Sequence, residues 1–158
     1  MIGKVSDRVL VGTFATVALF GCLAPSNELV ARPITAQQIS VIDGDTIHVA
    51  GESANVRLVG FNAPETRNAE CAVEHDLGDR ATRRLKGLVA TGRLDFTKVA
   101  CSCPAGTEGT FHCNYGRSCA TLRANGADVG ETLISEGLAV PFICGRTSCP
   151  PTPRPWCR

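Results

Sequence analysis

Eight cysteines fall late in this 158-residue chain, at Cys71, Cys101, Cys103, Cys113, Cys119, Cys144, Cys149 and Cys157. Nothing else in the sequence restricts the fold as much. Paired off, they close up to four disulfides, with about a hundred connectivities open to them, so spacing alone fixes no pairing. The rival use is a zinc site, since CSC, FHC and SCPPTPRPWC could be drawn around an ion. No pair has the CxxC spacing of a zinc ribbon or finger, and His112 is the only histidine from Cys101 onward, which favours disulfides. Disulfides in turn call for an oxidising compartment.

The N-terminus agrees with export. MIGKVSDR carries two basic residues and is followed by VLVGTFATVALFGCLA, sixteen uncharged residues from Val9 to Ala24. That length suits a signal-peptide core and is short for a membrane span of about 20 residues, which makes an uncleaved anchor the weaker reading. LFGC, Leu19 to Cys22, resembles a bacterial lipobox, in which Cys22 would carry lipid and become the mature N-terminus. Phe20 is bulky for that motif, and ordinary cleavage a little downstream is the alternative. The sequence therefore divides into a leader (1–24), a polar tether (25–36), a compact domain (37–143) and a tail (144–158) whose four prolines exclude regular structure.

Formal net charge is +1, and removing Lys4, Asp7 and Arg8 with the leader leaves 14 basic and 14 acidic residues. A protein that merely coats nucleic acid would show a basic excess, and this one does not. Aromatic residues make up only 5%, so the core has to be largely aliphatic. ISVID, TIHVA and NVRLVG read as three short strands. A helix follows with Leu77, Ala81, Leu85 and Leu88 on one stripe, Arg80, Arg83, Arg84 and Lys86 off it, and Gly92 at its end. RLDFTKVA and NYGRSCATLRANG give two more strands around a Gly- and Cys-rich loop, and Asn125-Gly126 signals a turn. Asp128 caps a second helix, which Gly137 ends and against which Leu138 packs. Five strands with helices after the third and fifth predict a small α+β domain built on an oligonucleotide-binding (OB) type barrel.

The chemistry collects in three places. VIDGDT ends an apolar strand with Asp43 and Asp45 around Gly44, and carboxylates held that close repel unless a cation compensates. On this motif alone, a plain DG hairpin with exposed aspartates is the better explanation. In VRLVGFNAPET, Arg57 interrupts an apolar strand, which is costly unless its guanidinium meets an anion. Asn62 and the Ala63 carbonyl offer neutral oxygens beside it, and Glu65 follows Pro64 at once. NYGR places Arg117 after a Tyr-Gly pair that can turn it inward. Acids beside a metal, two arginines and a further glutamate suit a clamped phosphodiester and an activated water.

With these motifs in this order, residues 38–143 resemble the staphylococcal nuclease family, carried by VIDGDT, VRLVGFNAPET, YGR and GADVGETLISEGLA. The resemblance implies a five-stranded barrel and calcium-dependent cleavage of DNA and RNA that leaves a 3′-phosphate and a 5′-hydroxyl. It implies that Asp45 is the principal calcium carboxylate, Asn62 and the Ala63 carbonyl further ligands, and Asp43 a neighbour acting through water. Glu65 is implied to act on the attacking water, Arg57 and Arg117 to stabilise the charged phosphorus, and Tyr115 to support the phosphate or stack on a base. The family prefers aspartate at the position of Asn62, which implies weaker calcium binding. It commonly has threonine at the position of Ala63. The insertion from Cys101 to Cys113 and the tail after Cys144 are absent from the staphylococcal pattern, and either brace the fold or shape access. His48, His75 and His112 have no nucleophile near them in sequence and read as structural or exposed. The expected protein is an exported monomeric nuclease acting on DNA, RNA or both, with no protein partner implied. The alternatives are a non-catalytic nucleic-acid-binding barrel and an envelope scaffold.

Overall fold

The computed structural model describes residues 32–157. The expected leader, the lipobox at Cys22 and the first part of the tether lie outside them.

The strands expected from alternation form as β2 (Ile39–Val41), β3 (Thr46–Val49), β4 (Val56–Leu58), β6 (Leu94–Val99) and β7 (Ser118–Ala124). Each places alternate apolar side chains inward: Ile47, Val49, Val56, Leu58, Leu94, Phe96, Ala120 and Leu122 are all buried. β2 and β3 pair as a hairpin with Ile39 opposite Val49, and β3 pairs with β4 so that Thr46 faces Arg57. β4 then runs parallel to β7, with Leu58 beside Ala120, while β6 lies antiparallel on the other side of β7. The order β6-β7-β4-β3-β2, with one parallel contact, is the strand order of an OB-type sheet curled into a half-barrel.

Four elements escape the sequence pattern. β1 (Arg32–Ile34) adds an edge to β6, so the tether expected through residue 36 stops earlier than predicted. β8 (Ala127–Asp128) closes the Asn125-Gly126 hairpin onto β7. β5 (Gly60–Asn62) and β9 (Val140–Phe142) form a separate ribbon that joins the Asn62 segment to the start of the tail. All four are three residues or shorter, and β1, β5 and β9 owe their existence to partners far away in sequence.

Helix α1 (Ala72–Thr91) buries Glu74, Gly78, Ala81, Thr82, Leu85 and Val89 against the curled sheet. The buried face is turned from the expected stripe, and Leu77 and Leu88 are only half-buried. The cause is a close backbone approach at Gly78 and a buried charge at Glu74, described below. Helix α2 (Val129–Ser135) is capped as expected: the Asp128 carboxylate accepts from the Gly130 and Glu131 amides, and the Leu138 amide returns to the Leu133 carbonyl at 2.8 Å. Both helices and the sheet enclose one core whose aromatic members, among the described residues, are Phe61 and Phe96. All eight late cysteines are paired, as Cys71–Cys157, Cys101–Cys119, Cys103–Cys113 and Cys144–Cys149. No helix among the described residues is long and apolar enough to cross a membrane.

Candidate active site

The turn between β2 and β3 carries the two aspartates. The Thr46 carbonyl accepts from the Ile42 and Asp43 amides at 2.9 and 3.2 Å, and Asp43 Oδ1 accepts from the Asp45 amide at 3.0 Å. Gly44 is needed for closeness and not for a left-handed turn. It is not among the positive-φ glycines, but a Cβ there would lie 2.6 Å from Ala63 Cβ and 2.9 Å from Ala81 Cβ. The turn is thus pressed against both the Asn62 segment and α1.

Asp45 is 6% exposed and fully engaged. Its Oδ2 accepts from the Ala63 amide at 2.8 Å, and its Oδ1 accepts from Thr46 Oγ1 at 3.1 Å and pairs with Arg57 Nη1. The arginine that breaks the apolar strand β4 has therefore found its anion. Arg57 Nη2 also donates to Asn62 Oδ1 at 2.8 Å and to the Phe61 carbonyl at 3.2 Å. Asn62 in turn donates through Nδ2 to the Pro153 carbonyl at 3.0 Å, which ties the tail to the centre of the site.

Arg117 is held by the turn before it. Its Nε donates to the Asn114 carbonyl at 3.1 Å, its Nη2 to Asn114 Oδ1 at 2.8 Å, and its Nη1 to Thr46 Oγ1 at 3.3 Å. Asn114 and Tyr115 both have left-handed backbones, φ 52° and 58°, and Gly116 continues the turn at 77°. Such conformations are strained for tyrosine and tolerated by asparagine. The turn points the Tyr115 ring outward, 71% exposed, with Arg117 Cζ 5.6 Å from its centroid.

Glu65 is set by α1. A Cβ on Gly78 would come within 2.6 Å of the Glu65 carbonyl and 2.7 Å of the Pro64 carbonyl, so this helical glycine lets the Pro64-Glu65 loop lie on the helix. Below the loop, Glu74 is completely buried. Its oxygens accept from the Glu70 amide at 2.7 Å and from Arg154 Nε and Nη2 at 3.0 and 2.8 Å. Arg154 also reaches the Asn68 carbonyl and Glu70, so the tail is clamped to the start of α1 beside the Cys71–Cys157 bond.

Asp43, Asp45, Arg57, Asn62, Glu65, Tyr115 and Arg117 line a single cleft of about 1020 Å³. Ala63 is the exception among the expected residues: it is buried behind the wall and meets Asp45 through its amide. His48, His75 and His112 are not among the lining residues. The cysteine-rich insertion and the tail both are, the first through Ser102 and Cys103 and the second through Cys144, Thr152 and Arg154. These segments shape access as well as bracing the fold. Sequence reasoning does not reach Asn114, Gly78, Glu74 or Arg154. Only Asn114 carries a signal, as a left-handed-tolerant residue just before Tyr-Gly.

Burial pushes the Asp43 carboxyl above its ordinary value, opposed by hydrogen bonds from Thr46 and by the charges of Arg57 and Arg117. Burial, assisted by the like charge of Arg117, pulls Arg57 down to about 10 against the attraction of Asp43 and Glu65. Arg117 is lowered by burial, against Asp43, Glu65 and Tyr115. Both guanidiniums stay charged at neutral pH. Two carboxylates and an amide oxygen in the cleft make an all-oxygen donor set, which fits a hard divalent cation such as calcium. In this structure Arg57 holds an oxygen of both Asp45 and Asn62, so a cation competes with that guanidinium. A separate group, Glu70, Glu74 and Cys157, also brings ligand-type atoms together, but its sulfur is in a disulfide and Arg154 takes both Glu74 oxygens.

The fold and the cleft define a disulfide-braced OB-type domain whose carboxylates and arginines converge on one polar cavity. Residues 55–149 match the staphylococcal nuclease homologue family, and the chain belongs to that family. Endonuclease YncB of Bacillus subtilis (strain 168) is 37% identical over 102 residues, covering 62% of this chain and 43% of the relative. The SPbeta prophage-derived endonuclease YokF of the same organism is 36% identical over 102 residues, covering 62% of this chain and 31% of its own. This chain therefore spans less than half the length of either endonuclease. Succinoglycan biosynthesis protein ExoI of Rhizobium meliloti (strain 1021) is 32% identical over 143 residues, 88% of this chain and 65% of the relative.

Proposed function

We propose that the protein is an exported, calcium-dependent nuclease that hydrolyses phosphodiester bonds of DNA, RNA or both. The observation that carries this reading is the convergence of Asp43, Asp45, Asn62, Arg57, Arg117 and Glu65 on one cleft. Calcium held by Asp45, Asn62 and the Ala63 carbonyl, with Asp43 acting through water, would polarise a phosphate oxygen. Glu65 takes a proton from the water that attacks phosphorus. As the new P–O bond forms, the bond to the 5′ oxygen breaks, leaving a 3′-phosphate and a 5′-hydroxyl. Arg57 and Arg117 neutralise charge on the equatorial oxygens, a task suited to groups that do not give up protons. No side chain is assigned to protonate the leaving 5′ oxygen, which takes its proton from solvent water, and Glu65 returns its own proton to solvent. Four disulfides and the basic-then-apolar N-terminus support export.

Arg57's hold on Asp45 and Asn62 favours a second reading, a barrel that binds nucleic acid without cutting it. One assay separates them. The oxidised protein is incubated with single-stranded DNA in millimolar calcium, in chelator, and as the Glu65→Ala variant. Cleavage that needs both calcium and Glu65 supports the nuclease. Stoichiometric binding with no new DNA ends, in calcium or manganese, sinks it in favour of the binding barrel.

A further inference from the structure

Arg57 and Arg117 are held in different ways. Arg57 pairs with the Asp45 carboxylate, so part of its charge is already compensated. Arg117 donates to neutral oxygens: the Asn114 carbonyl from Nε, Asn114 Oδ1 from Nη2 and Thr46 Oγ1 from Nη1. Among the described residues, none of its hydrogen-bond partners is a carboxylate. A guanidinium carries five N–H donors, so three engaged leave two, one on each terminal nitrogen. Such a pair is a fork suited to two phosphate oxygens, and Arg117 lines the cleft.

Two of the three bonds come from one residue, and that residue is itself fixed. Asn114 Nδ2 donates to Cys119 Sγ at 3.4 Å, and this sulfur is buried in the Cys101–Cys119 disulfide. Turned over, the amide would set its own N–H groups against those of the guanidinium. Its backbone adopts the left-handed φ of 52°, which brings carbonyl and side chain to the same arginine.

We propose that Asn114 is a positioning residue whose amide aims Arg117 at a phosphate without neutralising it. The inference rests on the nuclease reading and adds Asn114 to it. An aspartate would hold the guanidinium as firmly, yet would cancel the charge that a phosphate needs. A glycine would keep the left-handed turn and the carbonyl bond, but would free the guanidinium to pivot about Nε. The two substitutions thus separate aim from charge.

The test takes the oxidised wild type, Asn114→Gly, Asn114→Asp, and Arg117→Ala with and without Asn114→Gly. Nitrogen NMR of Arg117 reads aim without activity. Its terminal nitrogens should give separate signals in the wild type and Asn114→Asp, and one merged signal in Asn114→Gly. With single-stranded DNA in calcium, Asn114→Gly should lower kcat on the order of 10–100-fold with KM within about twofold, because the aimed fork matters most in the transition state. The same substitution should change nothing once Arg117 is alanine, an outcome that a merely structural role would not give. In chelator, Asn114→Asp should bind DNA about fivefold more weakly, from one charge compensated at contact distance. Arg117 signals merged in the wild type or separate in Asn114→Gly overturn the proposal. So does further slowing of Arg117→Ala, undiminished DNA binding by Asn114→Asp, or no DNA binding by the wild type. Cleavage at equal rates by wild type and Asn114→Gly removes the positioning role and keeps the nuclease. A wild type that binds DNA and cuts none, with Arg117 signals that depend on Asn114, does the reverse.

Discussion

Asn62 performs two tasks at once, and an aspartate could perform only one. Its Oδ1 accepts from Arg57 while its Nδ2 donates to the Pro153 carbonyl, so replacing the amide by a carboxylate removes the donor and sets two oxygens against each other. Asn62→Asp should therefore bind calcium more tightly, by added charge, yet melt earlier by about 1–2 kcal/mol. Calorimetric titration and a thermal melt check both halves, and weaker calcium binding would remove Asn62 from the ligand set. On the proposed mechanism, Glu65→Gln keeps the shape and loses the base. Its kcat should fall on the order of 10²–10⁴-fold with DNA affinity retained, measured by single-turnover cleavage and binding in chelator. That Arg57 meets an anion was legible in the sequence, because a charge inside an apolar strand demands a partner. The second task of Asn62 was not, since its partner lies 91 residues away.

At the scale of elements, α1 is placed by what it lacks. A methyl group at position 78 meets two backbone carbonyls, which cannot swing aside as a flexible side chain would. Gly78→Ala should destabilise the protein by about 1–3 kcal/mol despite alanine's better helix propensity, and should lower kcat by moving Glu65. Denaturant unfolding and steady-state kinetics test this; a stabilised variant with normal kcat would show that the loop does not need the helix so near. The strands β2, β3, β4, β6 and β7 and both helices could be read from periodicity and caps. The rotation of α1 could not, because the buried face includes a glycine and a glutamate that no hydrophobic pattern marks. Likewise β5 and β9 pair with each other from far apart in sequence, and β9 contains Pro141, which suits an edge.

For the whole molecule, the tail is a working part. Glu74 is buried, which by itself raises its pKa, but the Arg154 hydrogen bond and the Glu70 and Glu65 amides prevail and hold it below its ordinary value. A carboxylate depressed on folding contributes stability that is complete above its unfolded pKa of about 4.3 and is lost as pH falls through the lower folded value. Acidification below that point should loosen the tail. Arg154→Ala should cost about 3 kcal/mol at neutral pH, since it strands a buried charge, and should show a flatter acid response. Melts from pH 7 to 3 on both proteins decide it; parallel curves would mean that the pair does not couple to folding. The count and spacing of cysteines pointed to disulfides, but no spacing rule links Cys71 to Cys157, because that bond follows from the finished fold.

That bond also orders events in time. Cys157 lies 86 residues after its partner, so the strap it secures is added after every strand and helix of the barrel has been made. Until an oxidant reaches it, the Pro153 carbonyl is held to Asn62 only by non-covalent contacts. A chain kept among reductants would carry a looser, unfinished cleft, and its maturation would coincide with arrival in the compartment where it can be oxidised.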